Sequence, residues 1–254
     1  MQIDLNADLG EGFGAWSMGD DAAMLDIITS ANVACGFHAG DPMIMDKTVR
    51  MAAAKGVDVG AHVGLPDLVG FGRRQMQVDP VEASKFVLYQ LGALTAIAQA
   101  AGVRVGHLSF HGALGNMAAV DYALAKPMVS AIADFAPHLV ICASTDTQIA
   151  VAAEEVGLSI VTAFLADRAY EDDGTLVSRK REGAVIKDPS AVLDRVAQLL
   201  EDSSVTTING NRLAIEVKQI LVHGDTTGAV ALARTVRATI EKHGGKIVPI
   251  SKLQ

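Results

Sequence analysis

Aromatic residues are scarce in this chain, at 4% of 254 positions with a single Trp. That excludes a base-stacking platform for single-stranded nucleic acid, which needs a row of exposed rings. Basic clusters are as scarce: the net charge is −8, and the longest runs are Arg73-Arg74 and Arg179-Lys180-Arg181. No nucleic acid partner is expected, because phosphate neutralisation calls for a clustered basic surface. No apolar run approaches the ~18 residues of a membrane span, so no membrane partner is expected. The opening MQIDLNADLGEG carries acids where a secretory leader has a basic and then an apolar segment. The expectation is a soluble, cytoplasmic protein. The two cysteines, Cys35 and Cys142, sit far apart in apolar runs and read as buried thiols. There is no GxxxxGK[ST], no HExxH and no Cys-rich cluster, which excludes a P-loop nucleotidase and a closed structural zinc site.

Half of the residues are hydrophobic, and a chain of this length buries roughly three quarters of its unfolded surface. Short apolar runs alternate with amphipathic segments. The runs are 2–7, 31–37, 57–62, 103–110, 138–144, 158–166, 219–224 and 246–251, most of them continuous, as in strands covered on both faces. Three segments open with Asp-Pro (41–56, 79–101 and 188–201), a capping residue followed by proline at the first helical position. Seven or eight strand–helix units in one domain over 1–254 indicate α/β with a parallel sheet, expected to close into a barrel in preference to an open doubly wound sheet. Residues 167–188 are too long for an ordinary connection and read as a site loop or a small excursion. Asn209-Gly210 between β-rich flanks predicts a hairpin over 205–217.

The histidines carry the chemical signal. His38, His62, His111 and His223 each end an apolar run, and each is followed within two residues by glycine. Strand carboxyl ends of a parallel α/β fold face a common mouth, so four imidazoles are expected at one rim. His107, His138 and His243 lack that context and are expected to be structural. Asp8, Glu11, Asp41 and Asp225 fall at the same strand ends. Such a set does general acid–base work or holds a divalent metal with an open position, and spacing alone leaves both open. Gly10-Glu11-Gly12-Phe13-Gly14 is G-x-G-x-G, a weak dinucleotide signature. The turn HGDTTGAV (223–230) leads into a helix and suits an anion, and Arg73 with Arg74 can clamp one.

The ordered motifs DLNADLGEGFGAW, SANVACGFHAGD, GAH-G-PD with GFGRR, HGAL-N, ADRAY with DGTLV-R, and VHGDT-GAVALAR run from residue 3 to about 237. Through them the chain resembles the LamB/YcsF family, the A subunits of prokaryotic ATP-dependent 5-oxoprolinase. The resemblance implies an irregular, deacetylase-like (β/α) barrel of seven strands. It also implies ATP-driven opening of the 5-oxoproline lactam to L-glutamate, with ATP and Mg²⁺ as cofactors and the B and C subunits as partners. Carried onto this chain, the catalytic set is Asp8, Glu11, His62 and His111. The substrate- or nucleotide-binding set is Asn6, His38, Asp41, Arg73, Arg74, Asn116, Asp167, Arg168, His223, Asp225 and Thr226.

Two departures stand out. The family usually reads K-P-H-G-A-L-Y where this chain has Ser109-Phe110-His111 and Gly115, and H-P-G-Y-P becomes His62-Val63-Gly64-Leu65-Pro66. A cation and hydroxyl donors are expected to be missing from the rim as a result. The chemistry the resemblance implies has Asp8 or Glu11 with His111 activating water or substrate, while Arg73, Arg74 and the 223–228 turn bind anionic groups. Two other readings stay open here: a metal-dependent amide hydrolase or deacetylase acting without ATP, and a lactam- or sugar-binding module.

Overall fold

The computed structural model describes residues 1–144, 146–225 and 228–253. The chain runs through β1 (Gln2–Leu9), α1 (Asp21–Met24), β2 (Ser30–Ala34), α2 (Pro42–Lys55), β3 (Asp58–Val63), α3 (Pro80–Ala100) and β4 (Val105–Phe110). It continues with α4 (Gly112–Val120), α5 (Tyr122–Phe135), β5 (Val140–Ala143), α6 (Gln148–Glu155), β6 (Ser159–Leu165) and α7 (Pro189–Asp202). Last come β7 (Ser204–Thr206), β8 (Arg212–Ala214), β9 (Gln219–Val222), α8 (Ala229–Lys242) and β10 (Lys246–Ile247). Strands β1 to β6 pair in parallel in chain order, β6 pairs with β9, and β9 returns to β1. That closes a seven-stranded parallel barrel.

The three Asp-Pro openings behave as their chemistry dictates. Asp41, Asp79 and Asp188 each accept from backbone N–H groups of the first turn, with proline just inside. Such caps contribute about 1 kcal/mol each. The hairpin also forms, as β7 against β8 around Asn209-Gly210. The last apolar run does not enter the barrel. Only Lys246 and Ile247 pair, outside β1, and the chain turns at Pro249 into a 3₁₀ segment. Residues 167–188 form an excursion with only isolated bridges, Arg168 to Val185 and Tyr170 to Leu176.

The first strand departs from the continuous apolar pattern, and the departure positions the site. Strand side chains alternate between faces. Ile3, Leu5, Ala7 and Leu9 join the hydrophobic core, where each large apolar side chain contributes about 1.5–3 kcal/mol. Asp4, Asn6 and Asp8 make polar contacts instead, in three successive tiers. Asp4 accepts from Ser30 (2.6 Å), Thr29 (2.8 Å) and Gln219 (2.8 Å). One tier up, Asn6 donates to Asn32 at 3.2 Å, and Nε2 of His107 lies 3.1 Å from the same Asn32 oxygen. Asn32 in turn donates to Asp8 at 2.9 Å, the uppermost tier. A Cβ at Gly60 would stand 2.1 Å from the His107 ring, so only glycine leaves room for it.

Candidate active site

Strand ends and the loops behind them gather one compact acid–base cluster at the mouth. Asp8 ends β1 and Glu11 follows it in the loop, His38 lies in the loop after β2, His62 is on β3, and His111 precedes α4. All five side chains are buried. Nε2 of His62 is 3.4 Å from Asp8 Oδ1 and 2.9 Å from Nδ1 of His111. Oε1 of Glu11 is 3.4 Å from Nε2 of His38 and 3.7 Å from Nδ1 of His111. The His38 and His111 rings stack, centroids 3.7 Å apart and planes 5° apart. The far side of His111 is fixed by Phe71, whose carbonyl oxygen accepts from Nε2 at 2.8 Å. Phe71 reaches that position at φ 54°, a strained conformation for a non-glycine residue.

Burial sets the protonation of the cluster. It lowers the imidazoles of His38 and His111 well below their usual range, with neighbouring imidazoles adding to the effect, and it lowers His62 as well. Burial and then the Asp8 charge push the Glu11 carboxyl well up, so Glu11 keeps its proton where an exposed carboxyl would lose it. His107, deeper in the barrel, is pushed down to about 3 by burial and is neutral.

A second group lies across the mouth. Nδ1 of His223 donates to Asp167 at 2.7 Å, and the Arg179 guanidinium lies 3.4 Å from Nε2. Arg168 is buried and gives its N–H groups to the carbonyls of Val177 (2.7 Å) and Ala184 (3.1 Å), tying down the 167–188 excursion. A cavity of about 790 Å³ joins the two groups, lined by Asp8, His62, His111, Arg73, Arg179 and His223, among others. Glu11 and His38 stand behind that wall. Another cavity, about 690 Å³, opens beside Met1, Leu199 and Lys246 and presents no imidazole among the described residues.

The remaining expected site residues divide. Arg74, Asn116 and Arg168 also line the cavity. Arg73 does too and donates to Asp225 at 2.8 Å, while Arg74 is paired with Asp67. Asn6 lies a tier below the cluster. Asp41 spends its oxygens on Met43, Ile44 and Gly14 backbone N–H groups and stands as the cap of α2. Thr226 lies outside the described residues. Helix α8 begins after Gly228 with no side-chain cap.

The sequence departures have two different settings. Ser109, Phe110 and Gly115 line the cavity. A Cβ at 115 would meet the Phe110 carbonyl oxygen at 2.8 Å, so a tyrosine there requires the end of β4 to move. Val63 and Leu65 are fully buried in the core and are not among the residues that line the cavity.

Sequence reasoning left three contributors off the site. Arg179 was signalled by the basic triplet inside an over-long loop. Asn32 and Phe71 gave no such signal, since one acts by aiming Asp8 and the other through its carbonyl.

Known proteins share both the sequence and the barrel. The family model described as LamB/YcsF family matches residues 3–254. The chain is 60% identical over 253 residues to a Pseudomonas syringae pv. tomato protein named as an A subunit of 5-oxoprolinase, covering 100% of this chain and 99% of that protein. It is also 60% identical over 252 residues to a Ralstonia nicotianae protein of the same designation, covering 99% and 97%. Among solved structures, the Lactam Utilization Protein from Thermus thermophilus superposes with a TM-score of 0.92 at 38% identity, covering 98% of this chain and 100% of that one.

Proposed function

We propose that this chain, which belongs to the LamB/YcsF family, is the A subunit of an ATP-dependent 5-oxoprolinase that opens 5-oxo-L-proline to L-glutamate. The observation that carries this reading is 60% identity across 100% of the chain to a protein named as the A subunit of that enzyme. The B and C subunits complete the enzyme, Mg²⁺ accompanies the nucleotide, and a reaction that consumes ATP belongs in the cytoplasm.

An unstrained five-membered lactam is a poor electrophile, which is why the reaction calls for ATP. Transfer of the γ-phosphoryl group to the lactam oxygen releases ADP and makes the ring carbon electrophilic. Water adds to that carbon, and the C–N bond breaks with nitrogen taking a proton. A second water releases phosphate from the acyl phosphate to leave L-glutamate. In this reading the groups lining the cavity serve the ring-opening step. Asp8 is the general base: it lines the cavity and is aimed by Asn32. His62 stands next to Asp8 and His111 next to His62, on the side of the cavity where the ring carbon would lie. Arg73 and Arg179 hold the substrate carboxylate and the transferred phosphoryl group.

The test is reconstitution of the chain with the B and C subunits of a 5-oxoprolinase, followed by measurement of glutamate and ADP from 5-oxoproline and ATP. Stoichiometric formation of both is expected. No glutamate, with B and C partners that are active beside another relative of this chain, sinks the reading, and glutamate formed without ATP replaces it with simple amide hydrolysis.

A further inference from the structure

His62 and His111 have their tautomers fixed from outside. Nε2 of His111 faces the Phe71 carbonyl oxygen at 2.8 Å, and Nδ1 of His62 faces the Ser109 carbonyl oxygen at 3.3 Å. A carbonyl only accepts, so each of those nitrogens carries the ring hydrogen. The other two nitrogens, Nδ1 of His111 and Nε2 of His62, are then both lone-pair atoms, and they face each other at 2.9 Å. Two lone pairs at that distance repel unless positive charge sits beside them.

The same spot collects two more unsatisfied groups. Both ring nitrogens of His38 and Oε1 of Glu11 are buried with no hydrogen-bond partner among the described residues. Each of Glu11, His38, His62 and His111 offers one donor atom here, and the four atoms lie within 4.8 Å of one another. We propose that Glu11, His38, His62 and His111 form a binding site for one divalent transition-metal ion of the Zn(II) class.

The donor set fits. Three neutral imidazoles and a carboxylate are ligands for a borderline divalent ion. Tetrahedral bonds of about 2.0–2.1 Å place ligand atoms about 3.4 Å apart. The facing atoms stand 2.9 Å (His62–His111), 3.4 Å (His38–Glu11) and 3.7 Å (His111–Glu11) apart. Backbone carbonyls behind His62 and His111 are the outer partners that metal-bound imidazoles commonly have. His38 is oriented instead by stacking on His111. Asp8, 3.4 Å from His62, is outside the four and stays available as a base. Bound there, the ion supplies positive charge at the cavity wall that His62 and His111 form.

The test uses the isolated full chain, stripped with a chelator and titrated with Zn(II) by calorimetry, and separately loaded with Co(II) as a spectroscopic probe. One ion per chain is expected, with a tetrahedral Co(II) visible band and paramagnetically shifted signals from three imidazoles. Glu11→Gln and His38→Gln, checked for folding by circular dichroism, weaken Zn(II) by more than the ~10–100-fold attached to outer partners. His243→Gln leaves binding unchanged. Absence of saturable binding, fewer than three shifted imidazoles, or variants that bind as the wild type does would overturn the site. The assay contains neither lactam nor nucleotide, so its failure leaves the 5-oxoprolinase reading standing, and failed glutamate formation does not count against the metal.

Discussion

Arg73 and Asp225 join across the mouth, guanidinium to carboxylate at 2.8 Å, although 152 residues of chain separate them. The pair fixes a cation at the rim of the cavity, with the Arg73 side chain 27% exposed and so still accessible to an anion. Arg73 also lies over the Phe71 ring, 4.7 Å from its centroid.

If Arg73 holds the substrate carboxylate, Arg73→Ala raises KM for 5-oxoproline about 10- to 100-fold in the reconstituted enzyme, the loss of one desolvated charge contact. The kcat changes less. Steady-state kinetics across 5-oxoproline concentrations decide it, and an unchanged KM removes Arg73 from substrate binding.

Asp8→Asn keeps the acceptor that Asn32 donates to and removes the base. Lactam-dependent turnover falls about 10²- to 10⁴-fold, the usual contribution of a positioned proton acceptor. The thermal midpoint stays close to wild type because the tier of hydrogen bonds below is untouched. Full turnover in this variant would assign proton transfer elsewhere.

Much of this was legible in the residues. Asp-Pro openings at 41, 79 and 188 announce helix starts because a capping carboxylate and a proline each suit a first turn. His-Gly at strand ends placed His38, His62, His111 and His223 at one mouth, since parallel strands all deliver their carboxyl ends there. Strict alternation in QIDLNADL marks β1 as polar on one face, but not what satisfies that face. In DLNADL the acids and amides satisfy one another only when Ser30, Asn32, His107 and Gln219 arrive from other strands. Nor did spacing separate Asp41 from the true mouth residues, because a capping aspartate and a site aspartate look alike until the oxygens find partners. His223 reached the mouth but paired with Asp167, leaving the other three imidazoles as a tighter group.

The His223–Asp167 pair makes a pH-dependent contribution to stability. Burial opposes the charged imidazole, yet Asp167 and then Asp8 outweigh it, with Arg179 opposing, and the net shift is upward from 6.5. Burial likewise opposes ionised Asp167, but His223 holds its carboxyl below 3.8. The histidine's share is therefore complete below 6.5 and lost as pH rises through its folded midpoint. The aspartate's share is complete above 3.8 and lost as pH falls through its own folded midpoint. Asp167→Asn costs about 3–5 kcal/mol between those limits and less at either extreme. Denaturant unfolding of both proteins across pH measures this. A His223 midpoint by NMR at or below 6.5 in the wild type contradicts it.

Gly60→Ala forces a Cβ against His107. His107 is fully buried and contacts Asn6 and Asn32, so it cannot swing away without breaking the middle tier. A loss of about 1–3 kcal/mol is expected, as for overpacked cores. Urea denaturation reads it directly, and Gly60→Ala with His107→Ala should recover part of the loss if the clash is the cause.

The polar tiers of β1 and their partners Ser30, Asn32, His107 and Gln219 are buried below the mouth, filling the barrel axis with side chains among the described residues. Whatever enters the mouth as a ring must depart through the same doorway as an open chain. A protein seated over that rim would therefore gate arrival and departure together, tying each turnover to its own movement.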